Sequence, residues 1–135
     1  MKSRSDIKIF IVGGGEIGRS LGQLSRDGYE LTLIDRNQDV VKSLSNSFDI
    51  ICFEGNGASY TTLQELSAGK ADIWIAVTES DELNILSCMT AHMMGAKHTI
   101  ARIRDVDYAR QNHFYKDKLG LSMIINPELA TALEI

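Results

Sequence analysis

Four glycines stand close together near the start of the chain, in Ile7-Lys8-Ile9-Phe10-Ile11-Val12-Gly13-Gly14-Gly15-Glu16-Ile17-Gly18. An apolar run leads straight into them and a helical pattern follows. In that setting Gly13 makes a tight turn, Gly15 lets the backbone approach a pyrophosphate, and Gly18 lets helix and strand close up. Backbone amides at the start of the helix then face the anion. Gly14, Glu16 and Ile17 complete the candidate loop. The pattern alone arises often by chance, and its weight comes from an acid at the next strand end. Asp35 lies about 20 residues beyond the glycines, where a carboxylate accepts the hydroxyls of an adenine-side ribose and favours an unphosphorylated 2′-hydroxyl. The competing role for Asp35 is capping of the helix that follows Asn37. Arg36 beside it could hold a 2′-phosphate, stack on adenine, or simply stand in solvent.

Two further strand ends fall at the same edge: Phe53-Glu54-Gly55-Asn56-Gly57-Ala58-Ser59 and Val77-Thr78-Glu79-Ser80-Asp81. Gly55 and Gly57 permit close backbone approach to a base, with Asn56 between them, and Thr78 and Glu79 are within reach of ribose or phosphate. An ordinary turn and helix cap explains these segments equally well. Arg102 and Arg104 alternate along the fifth strand and are expected to point to opposite faces, so that at most one meets the ligand. A bidentate bond to phosphate competes there with a surface ion pair to Asp105 or Asp107.

Other chemistry lacks its geometry. Cys88 and His92 stand four apart on one helix without a second pair at ligand spacing, which argues for helix packing and against a metal. No Gly-x-Ser-x-Gly elbow anchors a hydrolase. Met89, Met93 and Met94 read as core or subunit contact, and Trp74, between Ile73 and Ile75, as core.

The elements that position these residues alternate along the chain. Strands are expected at Ile7–Val12, Glu30–Ile34, Asp49–Phe53, Ala71–Val77, His98–Ile103 and Ser122–Ile125, with helices over 16–27, 37–46, 59–67, 80–94 and 105–119. Asn37, Ser59 and the acidic Ser80-Asp81-Glu82 mark helix starts. Such alternation predicts an α/β, Rossmann-like, doubly wound six-stranded parallel sheet with helices on both faces. A further helix starts at Asn126-Pro127 and runs to Ile135 without a stop signal, so the chain is expected to end inside it. Its stripe of Leu129 and Leu133 fits packing on its own sheet or a crossover to another subunit.

The 135 residues are expected to form one domain, spanning 1–135. A net charge of −4 with both signs dispersed argues against nucleic-acid binding. Two cysteines, a leading apolar run too short to span a membrane and no signal-peptide pattern point to a reducing cytosol.

With these motifs in view, the chain resembles the N-terminal nucleotide-binding domain of the Trk/Ktr potassium-uptake regulators, also called KTN or RCK. The resemblance runs from Ile7 to Ile135. Besides the glycine loop and Leu33-Ile34-Asp35 it rests on Glu54-Gly55-Asn56-Gly57-Ala58-Ser59, on Ile75-Ala76-Val77-Thr78-Glu79-Ser80-Asp81-Glu82-Leu83-Asn84, on Ile100-Ala101-Arg102-Ile103-Arg104 and on Ile125-Asn126-Pro127-Glu128. It implies a non-catalytic cytoplasmic subunit, peripheral on the inner face of the plasma membrane, that controls a membrane potassium transporter of the TrkH/KtrB type. It implies a homodimer or larger ring assembled partly through the helix at Pro127, and a C-terminal ligand-binding domain that this chain does not include. It also implies phosphates on the glycine loop, ribose on Asp35, adenine near Gly55 and Asn56, and Thr78, Glu79 and Arg102 completing the site. Some ATP-responsive relatives carry Arg inside the glycine loop. Glu16 stands there in this chain and repels added phosphate, which favours NAD(H) or ADP over ATP, with AMP also open. The rival is the cofactor-binding fragment of an NAD-dependent oxidoreductase, which needs a substrate region for which no length remains.

Overall fold

The computed structural model describes residues 3–125. Six strands, β1 (Lys8–Val12), β2 (Glu30–Asp35), β3 (Ile51–Glu54), β4 (Ile73–Ala76), β5 (His98–Arg102) and β6 (Met123–Ile125), form one sheet in the order β3-β2-β1-β4-β5-β6. Every pairing is parallel, with β1 in register against both β2 and β4. The order reverses at β1, so the chain winds outward first on one side and then on the other. Ligands of open α/β sheets bind at that reversal, beyond the carboxyl ends of the central strands.

Parallel strands are buried on both faces, and the core divides accordingly. Ile9, Ile11, Leu31, Leu33 and Ile75 point to one face, under α1 (Glu16–Leu21) and α2 (Gln38–Ser47), with Leu44 and Phe48 closing over them. Phe10, Val12, Trp74, Ala76 and Ala101 point to the other. That face is covered by α3 (Tyr60–Glu65), α4 (Asp81–Met94) and α6 (Asn112–Lys118), which contribute Leu63, Cys88, Ala91 and Tyr115. Trp74 is fully buried, stacks on Phe10 with centroids 5.1 Å apart, and donates its indole N–H to Ser87 Oγ at 2.9 Å. Its expected place in the core is thereby established.

The helix starts follow the local chemistry in two of three cases. Asn37 accepts from the amides of Asp39 and Val40, and Ser80 from that of Leu83, whereas Ser59 occupies the cap position without a side-chain bond. Two helices differ from expectation. The pattern over 16–27 is helical only to Leu21, then tightens into a 3-10 turn at Gly22–Ser25 and stops at Gly28 (φ +97°). The single helix expected over 105–119 is two, α5 (Val106–Arg110) and α6, broken at Gln111 (ψ 21°). Apolar periodicity cannot report that break, because Tyr108 and Tyr115 are seven residues apart and face the same side with or without it. Their rings meet edge to face at 6.3 Å. Met93 is exposed, while Met94 packs against the core. The helix expected from Pro127 lies outside the described residues. No helix among the described residues is long and apolar enough to cross a membrane.

Candidate nucleotide-binding cleft

A cleft of about 820 Å³ opens above the carboxyl ends of β1, β2 and β4, with Val12, Ile34 and Val77 as its apolar floor. The glycine loop forms one wall. Gly13 adopts φ +107°, a conformation that glycine reaches without steric cost, and donates its N–H to Ile34 O at 2.9 Å. A side chain there would press on the backbone of Val77 and Thr78. Gly14, Gly15, Glu16 and Ile17 line the cleft. Gly18 does not; it lies buried behind the loop, where a Cβ would run into the carbonyl oxygen of Gly13. This is the helix–strand closure expected of it.

Asp35 lines the cleft at the end of β2, held by two backbone amides: Gly14 N donates to Oδ2 at 2.7 Å and Asn37 N to Oδ1 at 2.8 Å. Asn37 caps α2, so the capping role weighed for Asp35 falls to its neighbour. Asp35 instead braces the glycine loop, and each carboxylate oxygen keeps acceptor capacity for hydroxyls. Arg36 stands exposed at the rim beside it. Gly55 and Gly57 also line the cleft. Asn56 lies outside its wall, where its Oδ1 accepts from Ala58 N at 3.0 Å and shapes the turn after β3.

The wall facing the glycine loop is built by Thr78, Glu79, Ser80, Leu83, Arg102 and Arg104. Here one expectation is corrected. Arg102 and Arg104 both line the cleft and both approach Glu79, at 3.6 and 3.1 Å. Side chains two apart along an extended chain share a face, so the spacing favours convergence, not opposition. The ion pair weighed to Asp105 or Asp107 goes to Glu79 instead. Arg102 is buried to 8% side-chain exposure and donates to Thr78 O at 2.6 Å; its Nε has no hydrogen-bond partner among the described residues.

Two residues carry this wall in roles that the sequence does not assign to them. Asn84 is fully buried on α4 and joins two strand ends. Its Oδ1 accepts from Thr78 N at 2.9 Å and Thr78 Oγ1 at 2.7 Å, while its Nδ2 donates to Thr78 O at 3.1 Å and Arg102 O at 2.9 Å. Asp81 accepts from the amides of Arg104 and Asp105 at 2.7–3.1 Å. Besides closing the Ile75–Asn84 motif, Asn84 is a polar residue on the apolar stripe of α4, which calls for partners when buried. Elsewhere, burial raises the Cys88 thiol to about 12 and also raises that of Cys52. Neither is a nucleophile at neutral pH. No group of three or more metal-ligating side chains occurs among the described residues.

A parallel sheet wound in both directions from β1, with a glycine turn at its reversal and an acid at the next strand end, defines a Rossmann-like α/β domain. Residues 9–127 match the model of the TrkA-N domain, and the chain belongs to that family. The Trk system potassium uptake protein TrkA homolog of Archaeoglobus fulgidus is 30% identical over 128 residues, which cover 95% of this chain and 29% of that protein. The chain thus spans under a third of that relative's length. Among solved structures, the TrkA-N domain of the inner membrane protein ybaL from Escherichia coli superposes with a TM-score of 0.81 at 20% identity, covering 94% of this chain and 92% of that one. The GsuK channel bound to NAD superposes with a TM-score of 0.75 at 18% identity (93% and 22% covered), and GsuK bound to ADP with 0.74 at 19% (89% and 31%).

Proposed function

We propose that this chain is a non-catalytic regulatory domain that binds NAD(H), or another adenine nucleotide, and controls a membrane potassium-uptake transporter through a change of conformation. The observation that carries the proposal is the convergence of the glycine loop, Asp35 and the Arg102–Arg104 pair on one cleft. A pyrophosphate would meet the loop amides and the arginines, and the adenine-side ribose would meet Asp35. Gly55 and Gly57 leave room for the base. Glu16, exposed at the mouth, disfavours a third phosphate, so NAD(H) and ADP should bind better than ATP, with AMP also open. That GsuK has been solved with NAD and with ADP supports nucleotide binding by this fold.

Residues 1–135 would then be one nucleotide-sensing module, working as a homodimer or larger ring at the cytoplasmic face of a transporter subunit of the TrkH/KtrB type. The names of the relatives support a place in potassium uptake. Regulation requires that ligand favour one arrangement of the paired domains over another, since equal affinity shifts nothing.

Calorimetric titration with NAD+, NADH, ADP, ATP and AMP tests the ligand. Asp35→Ala should weaken binding by about 1–3 kcal/mol, the worth of its ribose hydrogen bonds. Unchanged affinity removes Asp35 from the site, and ATP binding tightest reverses the order. Turnover of NADH followed at 340 nm with simple aldehydes would move the chain to the oxidoreductases.

A further inference from the structure

Glu79 sits among groups that its charge should exclude from ligand. Its carboxylate straddles the two arginines, Oε1 at 3.6 Å from Arg102 and Oε2 at 3.1 Å from Arg104, at the side of the cleft facing the glycine loop. That is the forked geometry with which a phosphate would engage the same pair. The two sides of the contact differ in how firmly they are held. Arg102 is buried and anchored on Thr78 O, and Asn84 locks the backbone of both Thr78 and Arg102. Glu79 is 85% exposed and, among the described residues, its carboxylate is tied through its ion pairs alone. The shorter pair, with Arg104, is open to solvent on both sides, and such a pair is weak and easily exchanged.

We propose that Glu79 is a displaceable internal counter-ion of this cleft: it neutralises the arginine pair until the pyrophosphate of a nucleotide takes its place, and thereby sets the affinity threshold of the site. This rests on the nucleotide-binding assignment above. The exchange is one anion for another on fixed cations, so no covalent step is involved. Glu79 lies in the Thr78–Ser80 turn that leads into α4, and Ser80 caps that helix by accepting from Leu83 N.

The test is Glu79→Gln in the full 135-residue chain, titrated with inorganic pyrophosphate and with ADP at low and high salt. Glu79 is exposed and makes no core contact, so the variant should melt as the parent does. Removing the competing carboxylate should tighten both ligands about fivefold at low salt, with a smaller gain at high salt. In the double variant with Arg104→Gln the gain should shrink, because the arginine being contested is gone. Pyrophosphate affinity equal to or below that of the parent overturns the proposal, even if nucleotides bind well. Tighter pyrophosphate binding with no adenine nucleotide bound by either protein leaves the counter-ion in place and removes the nucleotide assignment.

Discussion

Replacing Asn84 by Ala strips the cleft of the side chain that holds two strand ends together. Four contacts vanish at once, two on its carbonyl and two on its amide. They are not equal. Thr78 O keeps its bond from Arg102, and the Thr78 hydroxyl can turn to Ser80 O at 3.3 Å. The Thr78 N–H and the Arg102 carbonyl lose the Asn84 partner outright. Each such buried group left unpaired costs about 1–3 kcal/mol, and the void left by a fully buried amide adds about 1 kcal/mol. Asn84→Ala should therefore lose about 5 kcal/mol, a large share of the roughly 5–15 kcal/mol that holds a domain together. Urea denaturation followed by circular dichroism measures this, with the midpoint falling at unchanged slope. Pairing Asn84→Ala with Thr78→Ala should give less than the sum of the single losses, since the two residues share bonds. A loss below 1 kcal/mol would show that the network does not hold the wall, and the rigid anchoring assigned to Arg102 would fall with it.

Two further outcomes follow from the same geometry. Gly18→Ala should destabilise the domain by about 2–3 kcal/mol although Ala is the better helix former, because its methyl group meets Gly13 O; equal or higher stability in denaturant would show that α1 can move away from the loop. Cys88 links stability to pH. Its thiol is raised by burial from an ordinary value of 9.0 to about 12, so the unfolded chain sheds the proton first. Stability from this group is complete below about pH 9 and is lost as pH rises towards 12. Tyr108 and Tyr115 are also raised, so the comparison of slopes between parent and Cys88→Ala isolates the thiol. Identical slopes above pH 9 would refute its burial.

The alternation of strands and helices was legible because strands buried on both faces must be apolar throughout, as in Ile9 to Val12. The glycine loop was equally legible. Gly13 needs a conformation, and Gly18 a closeness, that only glycine supplies, and such demands leave a mark on residue type. Asp35 was found by its spacing from the loop, although its bond to Gly14 N was not foreseen.

By itself, then, the sequence determined the fold class, the loop and the acid, because backbone conformation and two-sided burial act on each residue locally. Tertiary structure decided what lies opposite the loop. Arg102, Arg104 and Glu79 meet only because β5 pairs with β4 and the Thr78–Ser80 turn folds over their shared end. Asn84 becomes a clamp only when α4 packs across both strands, which turns a polar residue on an apolar stripe into a satisfied network. Apart from the local bond between Asn84 and Thr78, those contacts join residues some 20 positions apart, and a side chain's type does not state which distant backbone it will reach.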